Sequence, residues 1–167
     1  MNMYRYAYSR NMNEYINFIK SLLKIKISSI KFEDLGNQMG YSVLKESVVV
    51  LNTKNNTGAN LFTIAHELRH LYQYQYKLNK YKKEFDNYTD RDMMQECEKD
   101  ANAFAYFIFR NLFRLEPQIN LNGTVLEPLI DDITNELRYD FVDLFNQFDI
   151  DKCCKELNIP NIRRMSA

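Results

Sequence analysis

The chain has 167 residues, 46% of them hydrophobic, which is enough to bury the core of one domain spanning residues 1–167. Its 22 basic and 22 acidic residues balance, and this neutral charge argues against a nucleic-acid-binding protein. The N-terminus has no apolar signal core, no apolar run approaches ~20 residues, and the odd number of cysteines lacks disulfide spacing, so we predict a cytoplasmic protein with reduced thiols and no membrane partner.

The first half of the chain is predicted to contain two helices and one strand. Apolar residues with a period of about 3.6 predict a helix over residues 13–26. A second, short helix is predicted around Phe32 and Leu35, between serines that can cap its start and glycines that can end it. Residues 41–52 are predicted to form one strand, because the segment 48–51 is apolar and mostly β-branched.

The second half of the chain is predicted to be mostly helical, with helices at residues 60–78, 91–113, 128–148 and 151–157. Polar or charged composition predicts loops at residues 52–60 and 80–90, the second of them exposed. The segment 118–126 is expected to form two short extended stretches, 118–121 and 124–126, around a turn at Asn122-Gly123. Together these elements predict an α+β fold that is rich in helix and has a small sheet.

The sequence His66-Glu67-Leu68-Arg69-His70 contains both histidines of the chain. On a helix, His66 and His70 lie one turn apart on the same face, where both can bind one zinc ion. Glu67 then lies beside the metal as a candidate general base for a water molecule. The alternative is two unrelated surface histidines, but random placement would produce this pattern only about once in a thousand sequences. The motif therefore predicts a zinc site.

The residues around the motif indicate which side of its helix faces the core. His66 and His70 lie opposite a broad face of large apolar side chains, which comprises Leu61, Ile64, Leu68, Leu71 and Tyr72. We therefore expect the helix to bury its apolar side and to present both histidines to a cleft.

A third metal ligand is needed, because catalytic zinc sites use three protein ligands and keep a fourth position open. With no histidine left, the ligand must be Cys, Asp or Glu. Glu98 is favoured because it shares a helix face with small residues, which allow a close approach, and with Asn102, which could hydrogen-bond to a ligand. Glu96 and Cys97 remain alternative ligands. A further alternative is that the acidic residues of this segment bind no metal and form a solvated face of the helix.

The chain resembles the ImmA/IrrE-like zinc metallopeptidases of bacteria and phages in two segments, Asn60-Leu61-Phe62-Thr63-Ile64-Ala65-His66-Glu67-Leu68-Arg69-His70 and Glu98-x-x-Ala101-Asn102-x-Phe104-Ala105. The resemblance implies a zincin-like domain with zinc on His66, His70 and Glu98 and with Glu67 as the base. It also implies that the substrate is an intracellular regulatory protein, such as a transcriptional repressor. Members of this family often carry glycine before the second histidine, where this chain has Arg69.

A second function class is a zincin-like protein that binds zinc and recognises a partner protein without cutting it. Glu67 argues against this class, because a purely structural metal site does not need a base. The sequence therefore favours a metallopeptidase that acts on a protein or peptide substrate.

The apolar segment Val48 to Asn52 directly precedes the motif helix and suggests how the substrate binds. We expect it to form an exposed sheet edge, to which an extended peptide adds as an antiparallel strand. The alternative is a central strand that is paired on both sides.

Tyrosines are frequent near and after the motif, at Tyr72, Tyr74, Tyr76, Tyr81 and Tyr88. Packing at a half-buried surface is the simpler interpretation of this cluster. The alternative is that one of these tyrosines donates the hydrogen bond that stabilises the oxyanion during peptide hydrolysis. Because no third histidine exists, a tyrosine or an arginine must supply this hydrogen bond if the protein is a peptidase.

Overall fold

The computed structural model describes residues 12–86 and 95–161. Its helices are α1 (Asn13–Leu23), α2 (Thr57–Tyr76), α3 (Leu78–Asp86), α4 (Glu96–Ile108), α5 (Glu127–Gln147) and α6 (Ile150–Leu157). Its strands are β1 (Ser29–Glu33), β2 (Gly40–Val43) and β3 (Val48–Asn52), with short turns of 3-10 helix at Leu44–Glu46 and of π-helix at Phe109–Phe113. The fold is therefore α+β and helix-rich with a small sheet, as predicted, and it is consistent with a zincin-like domain.

The sheet of the described residues has three strands in the order β1–β3–β2. β1 runs parallel to β3, with Ser29 opposite Val48, whereas β2 runs antiparallel to β3, with Gly40 opposite Leu51. β3 is the central strand, and all of its residues are buried. The expectation that Val48–Asn52 forms an exposed edge is therefore wrong, and β2 forms an edge instead.

The prediction of a short helix around Phe32 and Leu35 is also wrong, because residues 29–33 form strand β1. Ile30 and Phe32 are buried, whereas their neighbours Lys31 and Glu33 are more exposed. This alternation has the period of two that a strand requires.

A turn divides the strand predicted over residues 41–52. Leu44–Glu46 form the 3-10 turn, and Ser47 follows with a φ of 55°, in the left-handed region that interrupts a strand. The chain reverses there, and β2 pairs with β3 as its antiparallel neighbour.

The prediction of an exposed loop at residues 80–90 is wrong up to Asp86, because residues 80–86 belong to helix α3. Residues 87–90 lie outside the described residues. Tyr81 and Phe85 lie four residues apart and are both buried. Two apolar residues among lysines are too few to show helical periodicity in the sequence, but they suffice to attach one face of α3 to the core.

Helices α1, α2, α5 and α6 confirm the four helices predicted at 13–26, 60–78, 128–148 and 151–157, with shifted ends. Helix α2 begins earlier than predicted because the side-chain oxygen of Asn56 accepts a hydrogen bond from the backbone N–H of Ala59 at 2.8 Å.

The long helix predicted over 91–113 consists of α4 and the π-helical turn that follows it, while residues 91–94 lie outside the described residues. The predicted turn is present, since Asn122 and Gly123 have φ values of 51° and 81°. The flanking stretches 118–121 and 124–126 do not form strands.

Helix α4 packs against both α2 and α5, and the sheet packs on α2 through β2 and β3. Residues 101–109 are all buried, so α4 forms the centre of the helical layer. Cys97, Cys153 and Cys154 are buried. In residues 12–86 and 95–161, no helix is long and apolar enough to cross a membrane.

Candidate active site

Helices α2 and α4 bring three of the predicted metal-site residues together. His66 Nε2 lies 2.9 Å from one carboxylate oxygen of Glu98, and His70 Nε2 lies 3.1 Å from the other. The two Nε2 atoms are 3.1 Å apart. Donor atoms around a tetrahedral zinc ion with bonds of about 2.0 Å are about 3.3 Å apart. This cluster therefore has the size of a zinc site.

Each imidazole is oriented by an amide oxygen. His66 Nδ1 lies 2.7 Å from Asn102 Oδ1, and His70 Nδ1 lies 2.8 Å from Gln73 Oε1. Because an amide oxygen can only accept a hydrogen bond, each ring donates from Nδ1, and a ring in its neutral form then keeps a lone pair on Nε2. Two lone pairs and a carboxylate then converge on one point, an arrangement that favours a bound cation.

Burial differs between the two histidines. The side chain of His66 is 16% exposed and borders a cleft, whereas that of His70 is 1% exposed. The ring of His70 packs edge-on against Phe85 of α3, at 6.3 Å between centroids. The expectation that both histidines face a cleft is therefore wrong for His70, because α3 and α4 cover that side of α2.

The electrostatics of the cluster favour a negative carboxylate beside a positive charge. Burial alone would raise the pKa of Glu98, but hydrogen bonds from His66 and His70 hold that pKa well below its usual range. Burial would lower the pKa of His66, but Glu98 and Glu67 raise it overall.

Gln73 belongs to a buried network that the sequence does not reveal. Its amide nitrogen donates to Asp100 at 2.8 Å and to the Cys97 carbonyl at 2.9 Å. Asp100 also accepts two hydrogen bonds from Arg69, at 2.8 and 3.2 Å. Arg69 therefore pairs with α4, and it is linked to His70 through Asp100 and Gln73.

Glu67 lies in the wall of the cleft beside the cluster and is buried. The Ser42 hydroxyl of β2 donates to its carboxylate at 3.5 Å. Strand β2 approaches α2 closely at Gly40. A Cβ atom added there would lie 2.8 Å from Thr63 Cγ2 of α2 and 2.7 Å from the Val50 carbonyl oxygen of β3, both too close for a side chain to fit. Glycine at position 40 thus allows the edge strand to pack next to the candidate base.

The two alternative ligands occupy different surroundings. The Glu96 side chain is 64% exposed and pairs with Lys99 at 3.1 Å, so it points towards solvent. Cys97 is buried, and its sulfur lies within 4.8 Å of ligand atoms of His70 and Glu98. Glu98 contacts both imidazoles, a geometry that favours it as the third ligand.

A cleft of about 990 Å³ opens beside the cluster. Its walls comprise residues 38–42, which include the first three residues of β2, the first turns of α2, and the segment 115–119. His66, Glu67, Glu98 and Asn102 line the same cleft. The site thus combines a metal-sized cluster, a carboxylate and space for an extended peptide.

The tyrosines of the predicted cluster lie elsewhere. The described residues that line the cleft include Tyr41 of β2 but not Tyr72, Tyr74, Tyr76 or Tyr81. Tyr72 donates to Glu136 at 3.2 Å, and Tyr88 lies outside the described residues. Tyr81 is buried, and Tyr72 and Tyr74 pack partly buried against the core, so packing is the favoured role of these three. Tyr76 is 55% exposed.

Comparison with known proteins agrees with this architecture. The family model for the IrrE N-terminal-like domain of the M78 peptidases matches residues 24–128. The matched segment contains the whole sheet, α2, α4 and the wall at 115–119. No curated protein and no solved structure matches the chain significantly. Because the family model covers more than half of the chain, the protein belongs to the IrrE N-terminal-like family of metallopeptidases.

Proposed function

We propose that the protein is a zinc-dependent metallopeptidase that hydrolyses a peptide bond of an intracellular protein. The observation that carries this proposal is the convergence of His66 Nε2, His70 Nε2 and the Glu98 carboxylate at 2.9–3.1 Å. Of these residues, His66 and Glu98 line one cleft together with Glu67. Family membership supports a protein or peptide as the substrate.

His66, His70 and Glu98 would hold the zinc ion, and Asn102 and Gln73 would orient the two imidazoles. When bound, zinc would act as a Lewis acid that polarises the peptide carbonyl and the attacking water. The negative charge of Glu98 would offset part of the positive charge of the metal.

Glu67 acts as the general base and then as the general acid. Its carboxylate takes a proton from the attacking water as the water oxygen bonds to the carbonyl carbon. It then delivers this proton to the leaving nitrogen as the C–N bond breaks, which yields a carboxylic acid and an amine. The Ser42 hydroxyl donates to this carboxylate and holds it at the cleft wall. Proton transfer then needs no other titratable side chain.

Strand β2 offers the edge on which the substrate is held. In the described sheet only one side of β2 pairs, with β3. An extended peptide can add to the other side through main-chain hydrogen bonds and lie across the cleft, beside Glu67. This pairing holds the scissile bond in place with little demand on the sequence.

Hydrogen exchange tests the role of β2. Using zinc-loaded Glu67→Gln protein and a saturating peptide substrate, we expect the amides of Gly40–Val43 to gain protection. The strand Val48–Asn52 is already paired on both sides, so its amides should change little. Unchanged exchange in β2 on peptide binding would contradict strand addition.

The substrate is a single regulatory protein rather than bulk protein, a proposal that rests on the family resemblance. Zinc-loaded protein added to a proteome from the same cell should create a few new protein N-termini, which mass spectrometry can identify. These N-termini should be absent from chelator-treated samples and from samples with Glu67→Gln. A proteome unchanged by the active protein would favour the non-catalytic, partner-binding alternative.

Gln73 should be a positioning residue for His70. Gln73→Leu keeps the size of the side chain but removes the acceptor for His70 Nδ1, so zinc affinity should fall by about 10- to 100-fold. Competition with a chromogenic chelator measures this affinity. Gln75→Leu is the matched control on the same helix, because Gln75 contacts Lys26 and Ser47 instead. Equal zinc affinity in both variants would contradict the positioning role.

A further inference from the structure

We propose that the peptidase cuts beside a large apolar residue of its substrate, whose side chain enters an apolar part of the cleft. This inference deepens the proposed function and rests on it. The apolar part is defined by Phe62, Phe109, Leu115 and Ile119, and it is continuous with the metal cluster because His66 lines the same cleft.

Phe62 connects the cluster to the apolar part. Its ring stacks on the ring of His66, with centroids 6.3 Å apart and an interplanar angle of 28°. The same ring contacts Phe109 edge-on at 6.1 Å and Tyr106 edge-on at 6.4 Å. An aromatic wall therefore begins at a candidate metal ligand, so a residue that flanks the scissile bond would contact it first.

The cleft wall formed by residues 115–119 is held in place by an ion-pair cluster. Arg110 donates to Glu116 at 2.6 and 3.1 Å, and to Glu127 at 2.8 and 3.2 Å. These bonds tie the wall to the π-helical turn and to the start of α5. Buried Pro117 further restricts its backbone. The apolar part is thus formed before substrate binds, which lowers the entropic cost of binding.

The charges of the cleft also select the substrate. The charged residues among its described lining are Glu67, Glu98 and Glu116, and no lysine or arginine lines it. Apart from the proposed zinc ion, an acidic substrate side chain would meet like charge and no lysine or arginine to pair with. Glu116 is already paired with Arg110, so it offers little additional stabilisation to a basic side chain. An aliphatic or aromatic side chain gains most, by displacing water from the apolar wall.

Quenched fluorescent peptides that differ at the two residues flanking one cleavable bond test this inference. Leu or Phe at one of these positions should increase kcat/KM by about tenfold or more over Ala, and Asp should decrease it. Fluorescence anisotropy of the same peptides on zinc-loaded Glu67→Gln should show the same order of affinity. Equal values for Leu, Ala and Asp peptides, or binding of none of them, would overturn the inference.

A variant in the wall makes the test specific. Ile119→Ser should reduce the preference for Leu over Ala severalfold and leave zinc content unchanged. Val125→Ser is the matched control, because Val125 is 72% exposed and does not line the cleft. An unchanged preference in Ile119→Ser would count against the assigned wall. If Glu67→Gln prefers Leu peptides but the wild type cuts none, the peptidase function fails while the binding preference stands.

Discussion

Glu98→Ala should abolish stoichiometric zinc binding. The wild type should contain about one zinc ion per chain. Loss of a residue that only orients a ligand weakens zinc affinity by about 10- to 100-fold, so loss of a direct ligand should weaken it further. The physical reason is that both carboxylate oxygens of Glu98 lie 2.9–3.1 Å from the imidazoles, and alanine leaves only two ligands. Elemental analysis and chelator competition on purified protein measure the effect.

Glu96→Ala is the matched control for this prediction. Glu96 lies on the same helix and carries the same charge, but it points to solvent and pairs with Lys99. It should retain full zinc. Cys97→Ser should also retain zinc if Glu98 is the ligand. Full zinc in Glu98→Ala, together with loss in Glu96→Ala or Cys97→Ser, would assign the third ligand to the residue whose replacement removes the metal.

Glu67→Gln should keep zinc and lose peptidase activity. The amide has the size of the carboxylate but cannot accept the proton of the attacking water, so kcat should fall by about 10²- to 10⁴-fold. Zinc content and thermal stability should remain close to wild type, because His66, His70 and Glu98 are unchanged. Cleavage of an identified substrate, followed by mass spectrometry, measures the rate.

Glu96→Gln controls for removing a negative charge near the site, and it should cleave at the wild-type rate. Cleavage by Glu67→Gln at the rate of wild type would show that Glu67 is not the base. If the zinc-loaded wild type cleaves nothing, the partner-binding alternative would explain the cleft better than the peptidase does.

The local part of the site could be predicted because a helix places residues four apart on one face. His66 and His70 needed only that periodicity, and Glu98 was favoured because small neighbours permit a close approach to a second helix. Gln73 follows His70 by one turn, so the same periodicity could have indicated it as a hydrogen-bond partner. Long-range pairs have no such signal in one sequence: Arg69 and Asp100 meet only after α2 and α4 pack.

The sheet and the short helix α3 were harder to predict for a related reason. Strand β1 carries only two buried side chains, and α3 also carries two, so neither segment is long enough to display its period. Which strand forms the edge depends on chain reversal at Ser47 and on parallel pairing of β1 with β3. Both are tertiary features, and they place β2 rather than Val48–Asn52 beside the cleft.

The most direct test of the proposed zinc site is an anomalous-scattering map, at the zinc absorption edge, of crystals of the zinc-loaded protein. One peak should lie about 2.0–2.2 Å from His66 Nε2, His70 Nε2 and a Glu98 carboxylate oxygen, with Glu67 near but not bound. A peak coordinated by Cys97 or Glu96 in place of Glu98, or no peak between the two histidines in protein that contains zinc, would contradict it.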